Sequence, residues 1–447
     1  MTEVPFATVA PLLDAVAARY PTREAMVSDD ERVTFGAFRA RAERLAAGLT
    51  ALGLGHGDAV AIWMPNRPSW FVAQQACART GAVVVALDAR CRGQALDRVL
   101  RGSDARALIL TDHVGSVDYF ELLHEVLPEL AGAVPGELTS ERFPRLAWVI
   151  VDADDEYPGC VRLADIENVG TDRPTGRSRS PAPDDAFALV YTSGTSGIPK
   201  ATIVSHRNCV PHAWHTGQTL RLTPGDRVLH ALPASGAWGG VNIPLSTWSH
   251  AATLVMMETF DPLRALWLIE RERCTIVNVS DTMAGLLLDH AALARYNRSS
   301  LRTGAFAAVG GRGQLFDEVA DRIVPDLYQP YGTTEINAMA LAHDLDEPRA
   351  RRAEAGVVPP PGLEVRVADP ATGAVCRPGQ DGELQFRGSS VSRGYHGLPE
   401  GTAAAFTFDG WFKTGDVGVQ DDSGRTIFKG RLKETPSIDR VMTRVVQ

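Results

Sequence analysis

YTSGTSGIPK, residues 191–200, is the stretch on which the reading of this chain turns. It sets four hydroxyls, Thr192, Ser193, Thr195 and Ser196, among the glycines Gly194 and Gly197 and closes on Lys200. Backbone amides in a glycine-rich turn converge on an anion, and hydroxyls with an ammonium group complete a shell suited to polyphosphate. The spacing is G-x-x-G-x-x-K, unlike the GxxxxGK[ST] loop, and ATIVSH after it reads as strand, so no helix dipole is expected to assist. Amides, hydroxyls and Lys200 must do the binding. By composition alone the same residues also suit a glycine/serine surface hairpin.

Working outward, FALVY (187–191) reads as a strand entering the loop, and TDRPTGRSRSPAPDD (171–185) as an exposed, proline-rich connection before it. Residues 8–20 read as an amphipathic helix ending at Pro21, and Thr34 caps a helix that Gly53 closes. AVAIWM (59–64), AVVVAL (82–87), ALIL (107–110) and WVIV (148–151) read as strands, with a helix from Ser69 to Thr80 between the first two. That alternation builds a largely parallel, helix-covered sheet. VLHAL (228–232) and CTIVNV (274–279), with helices over 262–273 and 282–294, continue the pattern. From about 356 the short segments LEVRV, GELQFRG and RTIFKG, divided by Gly, Pro and Asp turns, point to a small all-β unit. The expected fold is α/β, with units at 1–185, 186–350 and 351–430 and a tail at 431–447.

At 447 residues the chain is long enough for two or three packed units, and its 45% hydrophobic and 22% charged content is that of an ordinary globular protein. No apolar run approaches the roughly 20 residues of a membrane span, and MTEVPFATVAPLLDAV lacks a signal peptide's basic start, so the cytoplasm is the expected location. A net charge of -9 argues against a nucleic-acid surface, and Arg349, Arg351 and Arg352 read as a solvated face. Six scattered cysteines without a CxxC pair read as reduced thiols, and His212 and His215 lack acidic or thiol neighbours for a metal site.

The full opening string resembles the phosphate-loop signature of the adenylate-forming superfamily, which includes acyl-CoA and aryl-CoA synthetases, luciferases and the adenylation domains of peptide synthetases. YGTTE (331–335), GELQFRG (382–388), GYHGLPEGT (394–402), DGWFKTGD (409–416) and GRLK (430–433) follow in the family's order. The resemblance covers residues 30–434 and implies the family's large N-terminal domain: two helix-covered sheets and a small β-barrel-like unit.

It also implies roles. Thr192, Ser193, Thr195 and Lys200, with Gly194, Ser196 and Gly197 of the same loop, would grip the β- and γ-phosphates of ATP. Thr334, beside Gly332 and Thr333, would contact the α-phosphate, and Glu335, a hard oxygen ligand, would hold Mg²⁺ together with phosphates and water. Asp416 would accept from both ribose hydroxyls, Arg431 would reach the ribose or its phosphate, and Gly310, Gly311 and Arg312 with Tyr331 would sandwich adenine. Read singly, an Asp in TGD is a turn former and a Glu after TT a helix cap.

The implied reaction is attack of a carboxylate on the α-phosphorus of MgATP, giving an acyl-adenylate and pyrophosphate, with Lys200, Thr334 and Glu335 as the catalytic set. Transfer to coenzyme A or to a carrier protein's pantetheine arm normally follows. Relatives continue past GRLK into a small domain bearing a catalytic lysine, whereas TPSIDRVMTRVVQ ends this chain. Loss of one such preorganised group is expected to slow adenylation on the order of 10²–10³-fold. Because the resemblance implies that the same domain rotates to build the thiol-acceptor site, thioester formation is expected to be weak or absent.

Three segments, 232–241, 278–283 and 308–313, are expected to line a mostly apolar substrate pocket. Ser235 and Gly236 stand where relatives have an aromatic residue and His, and Asp281 where they have Pro. Ser280 and Asp281 either present polar groups to the acid or, for Asp281, cap the helix beginning at Thr282. Trp238, next to Gly239, either stacks on an aromatic substrate or fills the core, and Gly310 borders the pocket. The expected substrate is an aryl or short acyl acid, with a long fatty chain as the alternative. A nucleotide- or acyl-binding pseudoenzyme or truncated product with no turnover, and a site turned to an unusual nucleophile such as nitrite, are the alternatives in function.

Overall fold

Strands such as Ala59–Trp63 and Ala107–Thr111, apolar but for Thr111 and buried along their whole length, must be covered on both faces, and this dictates the architecture. In a computed structural model, which describes residues 4–170, 180–192 and 199–432, three main sheets carry the chain. The first has seven strands in the order Lys200–Ser205, Ala186–Thr192, Val83–Ala86, Ala59–Trp63, Ala107–Thr111, Trp148–Asp152 and Cys160–Arg162. Only its first pair is antiparallel.

The second sheet is parallel through Asp326–Tyr328, Thr303–Ala307, Ile276–Val277, Arg227–His230, Thr253–Met256 and Glu24–Val27, and ends on antiparallel Arg32–Thr34. The expected strand 274–279 is broken at Asn278, whose side chain accepts from the Ala305 amide; Val279–Ser280 resumes along the same neighbour. The third sheet is a five-stranded antiparallel meander with Gly356–Val357 and Leu363–Ala368 at its edges.

The sheets exchange strands across residue 185, so the expected units 1–185 and 186–350 do not coincide with them. Ala186–Thr192 and Lys200–Ser205 join the first sheet, while Glu24–Val27 and Arg32–Thr34 join the second. Between the two lies the helix Pro68–Thr80, with nearly every residue buried; Pro at its first turn and left-handed Gly81 (φ 78°) after its last define its ends. Thr34 does cap the helix Phe35–Ala51, accepting from the Ala37 amide.

The helix expected over 282–294 is shorter, Asp281–Leu288, with a separate turn at Leu293–Arg295. The arginine run is also not a uniformly solvated face. Arg352 is buried and donates to the Leu327 and Glu347 carbonyls, an unexpected use of a charged side chain that works because guanidinium N–H groups can saturate otherwise orphaned carbonyl oxygens. No helix among the described residues is long and apolar enough to cross a membrane.

Candidate active site

Parallel strands all deliver their following loops to one edge, and a crevice at the carboxyl ends is where open α/β sheets bind ligands. Strands Arg227–His230, Val279–Ser280, Thr303–Ala307 and Asp326–Tyr328 thus send the segments 232–241, 281–283, 308–313 and 329–335 to the same edge of the second sheet. The hairpin of Ala186–Thr192 and Lys200–Ser205 approaches from the first sheet, with Thr192 paired to Lys200 at its mouth. Ser193, Gly194, Thr195, Ser196 and Gly197 lie outside the described residues, as does the tail from 433.

Lys200 does not point into empty space. Its Nζ sits 4.9 Å from the ring centroid of Tyr395, and the Tyr395 hydroxyl donates to Glu335 Oε1 at 2.8 Å. Burial, then the neighbouring Glu335 carboxylate, pushes the Tyr395 phenol upward, so it remains a proton donor. Backbone bonds bind the two segments: Ile203 N to Gly394 O at 3.0 Å, His396 N to Ala201 O at 2.8 Å, and Ser392 N to Glu335 O at 2.7 Å.

Tyr331 and Asp416 form a second cluster. The Tyr331 hydroxyl donates to Asp416 Oδ2 at 2.7 Å, and Arg431 Nη1 lies 2.9 Å from Oδ1. Asp416 is 2% exposed, and burial raises its carboxyl above the ordinary aspartate value despite the opposing help of Tyr331 and Arg431. Both oxygens that ribose hydroxyls would use are therefore already approached by the protein's own groups. Tyr331 stacks on Phe428 at 5.1 Å, which covers one of its faces. Thr334 and Glu335 begin a short 3₁₀ turn, Thr334–Ile336, and the chain returns through left-handed Asn337 and Ala338 so that Leu341 pairs with Tyr331. Thr333, immediately before that turn, is half-buried.

Asp281 is not a pocket group, nor is it the helix cap. Ser280 caps the helix by accepting from Met283 N at 3.3 Å. Asp281, 0% exposed, accepts from Gly310 N at 2.9 Å, Arg312 N at 2.9 Å and Thr282 N at 2.9 Å. A buried carboxylate is tolerable only when so satisfied, and here it fixes the turn at Gly310, Gly311 and Arg312. Asp281→Ala is expected to cost about 2–4 kcal/mol, because those amides lose a charged acceptor. A urea midpoint unchanged from the parent would contradict this.

Gly239 likewise faces protein, since a side chain there would run into the Leu232 and Pro233 carbonyls, and Gly240 would meet Ala234. These two glycines shape a single π-helical turn, Ala237–Asn242, after half-buried Ser235 and Gly236. Trp238 remains half-buried, its indole N–H 3.1 Å from the Met339 sulfur.

Sequence motifs alone did not single out Tyr395, although it stands in the quoted GYHGLPEGT; nor did they single out Glu383, which is buried and accepts from Gly415 N beside Asp416. The chain matches the AMP-binding enzyme family over residues 13–396. The chain belongs to that family. This AMP-binding enzyme is 33% identical over 441 residues to the acyl-CoA synthetase-like protein YngI of Bacillus subtilis (strain 168), covering 97% of this chain and 80% of YngI. It is 30% identical over 440 residues to the medium-chain acyl-CoA ligase ACSF2 of Bos taurus, covering 96% and 71% respectively. Its fold resembles the N-terminal domain of FACL13 from Mycobacterium tuberculosis with a TM-score of 0.78 at 24% identity, covering 94% of this chain and 99% of that domain. The AMP-binding enzyme is thus an ATP-dependent, acyl-CoA ligase-like member of the adenylate-forming superfamily, and its chain spans the N-terminal domain.

A divalent cation fits the donor chemistry at Glu335. Its Oε1 is engaged by Tyr395, while Oε2 has no hydrogen bond among the described residues. No cluster of three or more His, Cys, Asp or Glu among the described residues could cage a metal, so phosphate and water oxygens would complete the shell, as is usual for Mg²⁺.

Proposed function

We propose that this enzyme activates a medium-chain aliphatic acid as its acyl-adenylate and that coenzyme A is the acceptor. The observation that carries this reading is the convergence of Lys200 and Glu335 on one tyrosine, the first on its ring and the second on its hydroxyl, which brings an ammonium group and a hard carboxylate to the mouth of the phosphate hairpin. Bound Mg²⁺ would neutralise phosphate charge and polarise the α-phosphate. Lys200 would offset the charge of the departing pyrophosphate, and Thr334 would orient the α-phosphate. Asp416 and the Gly310–Arg312 turn would hold the nucleoside. A carboxylate oxygen then bonds to the α-phosphorus as the bond from that phosphorus to the bridging oxygen breaks and pyrophosphate departs. The sulfur of coenzyme A next bonds to the acyl carbon as the bond from that carbon to the AMP oxygen breaks, releasing AMP and the thiol proton.

The choice of acid rests on the likeness to ACSF2 and on the walls of the crevice. Ser280 and Asp281 are turned to backbone amides, so neither is a free polar partner for a substituted aromatic ring, and the half-buried Trp238, packed on the Met339 sulfur, supplies apolar wall. Pyrophosphate exchange with an acid panel tests this. Exchange should be strongest with medium-chain fatty acids and fall about 10²–10³-fold in Lys200→Ala. Exchange supported best by benzoates would return the substrate to an aryl acid, and ATP binding without exchange under any acid would identify a binding protein.

A further inference from the structure

The segment after GELQFRG crosses from the third sheet to the edge strand Lys200–Ser205 of the first, and it is fastened at nearly every residue. Asn208 Nδ2 donates to the Ser389 and Val391 carbonyls, His212 Nδ1 meets Ser390 Oγ at 3.0 Å, and Asn337 Nδ2 donates to Ser390 O. Gly394 follows at φ 115°, where any side chain would strike Thr402. The Thr402 hydroxyl accepts from Tyr395 N at 3.0 Å. This strapping does not by itself require a hydroxyl on residue 395. A purely structural tyrosine would serve as well without its oxygen, yet here that oxygen is turned to Glu335 while the ring face carries Lys200.

We propose that Tyr395 is a positioning residue with two separable functions: its hydroxyl holds Glu335 in the orientation that accepts a nucleotide-bound divalent cation, and its ring holds Lys200 for the phosphates. This rests on the reading of Lys200 and Glu335 given above. A phenol donating to Oε1 restricts the carboxylate's rotation and aims Oε2 away from the ring. The cation–π contact restrains an otherwise flexible lysine without neutralising its charge. Neither function places Tyr395 on the reacting atoms.

Equilibrium binding to the full chain, with ATP plus Mg²⁺ and with ATP in a chelator, separates the two. Tyr395→Phe keeps the ring and loses the hydroxyl. It should weaken MgATP binding about tenfold, raise the Mg²⁺ concentration required at fixed ATP, and leave metal-free ATP binding unchanged. Tyr395→Leu should in addition weaken metal-free ATP about threefold. In the Glu335→Gln background, Tyr395→Phe should have no further effect on MgATP. The proposal is overturned if Tyr395→Phe binds MgATP like the parent, or if it weakens both forms equally, as a merely structural residue would. Failure of the parent chain to bind either form would instead refute the reading of the site itself, and this proposal with it.

Discussion

Gly332→Ala is expected to destabilise the fold by about 3 kcal/mol and to abolish nucleotide binding. The YGTTE motif leaves the strand Asp326–Tyr328 and doubles back so closely that Gly332 lies under the returning Ala338 peptide. A methyl group there would fall inside the van der Waals envelope of the Ala338 carbonyl, and a backbone atom cannot rotate away as a side chain can. Relief requires shifting either the Tyr331–Leu341 bridge or the Thr334–Ile336 turn, and both carry residues proposed above to meet the nucleotide. Gly132→Ala is the control, because nothing lies within 4 Å of the added carbon; it should be nearly neutral. Thermal unfolding and MgATP titration of the two variants would decide the matter, and similar behaviour of both would show that the turn has room to spare.

Acid should weaken this protein well before its carboxylates protonate. His206, His212 and His230 are each 1% exposed. Burial pushes their pKa values down to about 4 for His206 and about 3 for the other two. His206 Nδ1 accepts from Val9 N, which a proton on that nitrogen would prevent. His230 packs edge-on to Phe71 at 5.9 Å, and neither of its nitrogens has a partner among the described residues. In the unfolded chain all three titrate near 6.5. Protons therefore bind the unfolded state first as pH falls, so the stability present above 6.5 declines through the window from 6.5 toward 4. Each histidine contributes about 1.4 kcal/mol per pH unit, or about 3–4 kcal/mol in all between pH 6 and pH 5. Urea unfolding at those two values should show it, with a shallower decline in His230→Leu. Equal midpoints at pH 7 and pH 5 would mean that these rings are hydrated in solution.

The sequence announces its elements better than its partners. Thr34, the helix from Ser69 to Thr80 and the unbroken apolar strands were legible because caps and burial act over a few neighbouring residues. The exchange of strands across residue 185 was not, since nothing within Glu24–Val27 specifies that Thr253–Met256 will lie beside it. Asp281 illustrates the same limit at the site. Its local setting reads as a helix cap, but its amide partners at Gly310 and Arg312 stand 29 and 31 positions away. Tyr395 was visible only as part of a motif, because its partner Glu335 is 60 positions upstream. Arg352 was misread because a run of charges looks solvated until the carbonyls that saturate it are placed.

The interleaving of the sheets also bears on how the chain can be made. During vectorial synthesis the N-terminal strand Glu24–Val27 emerges with its hydrogen-bonding edge unpaired, and Trp248, whose indole N–H reaches Ala25 O, lies 223 residues downstream and is not yet made. The first sheet in turn is incomplete until Ser205 has left the ribosome. An early apolar strand kept waiting for a distant mate is a natural client for a holding chaperone. Splitting the polypeptide at the 171–185 connection would leave each fragment short of strands that only the other can supply.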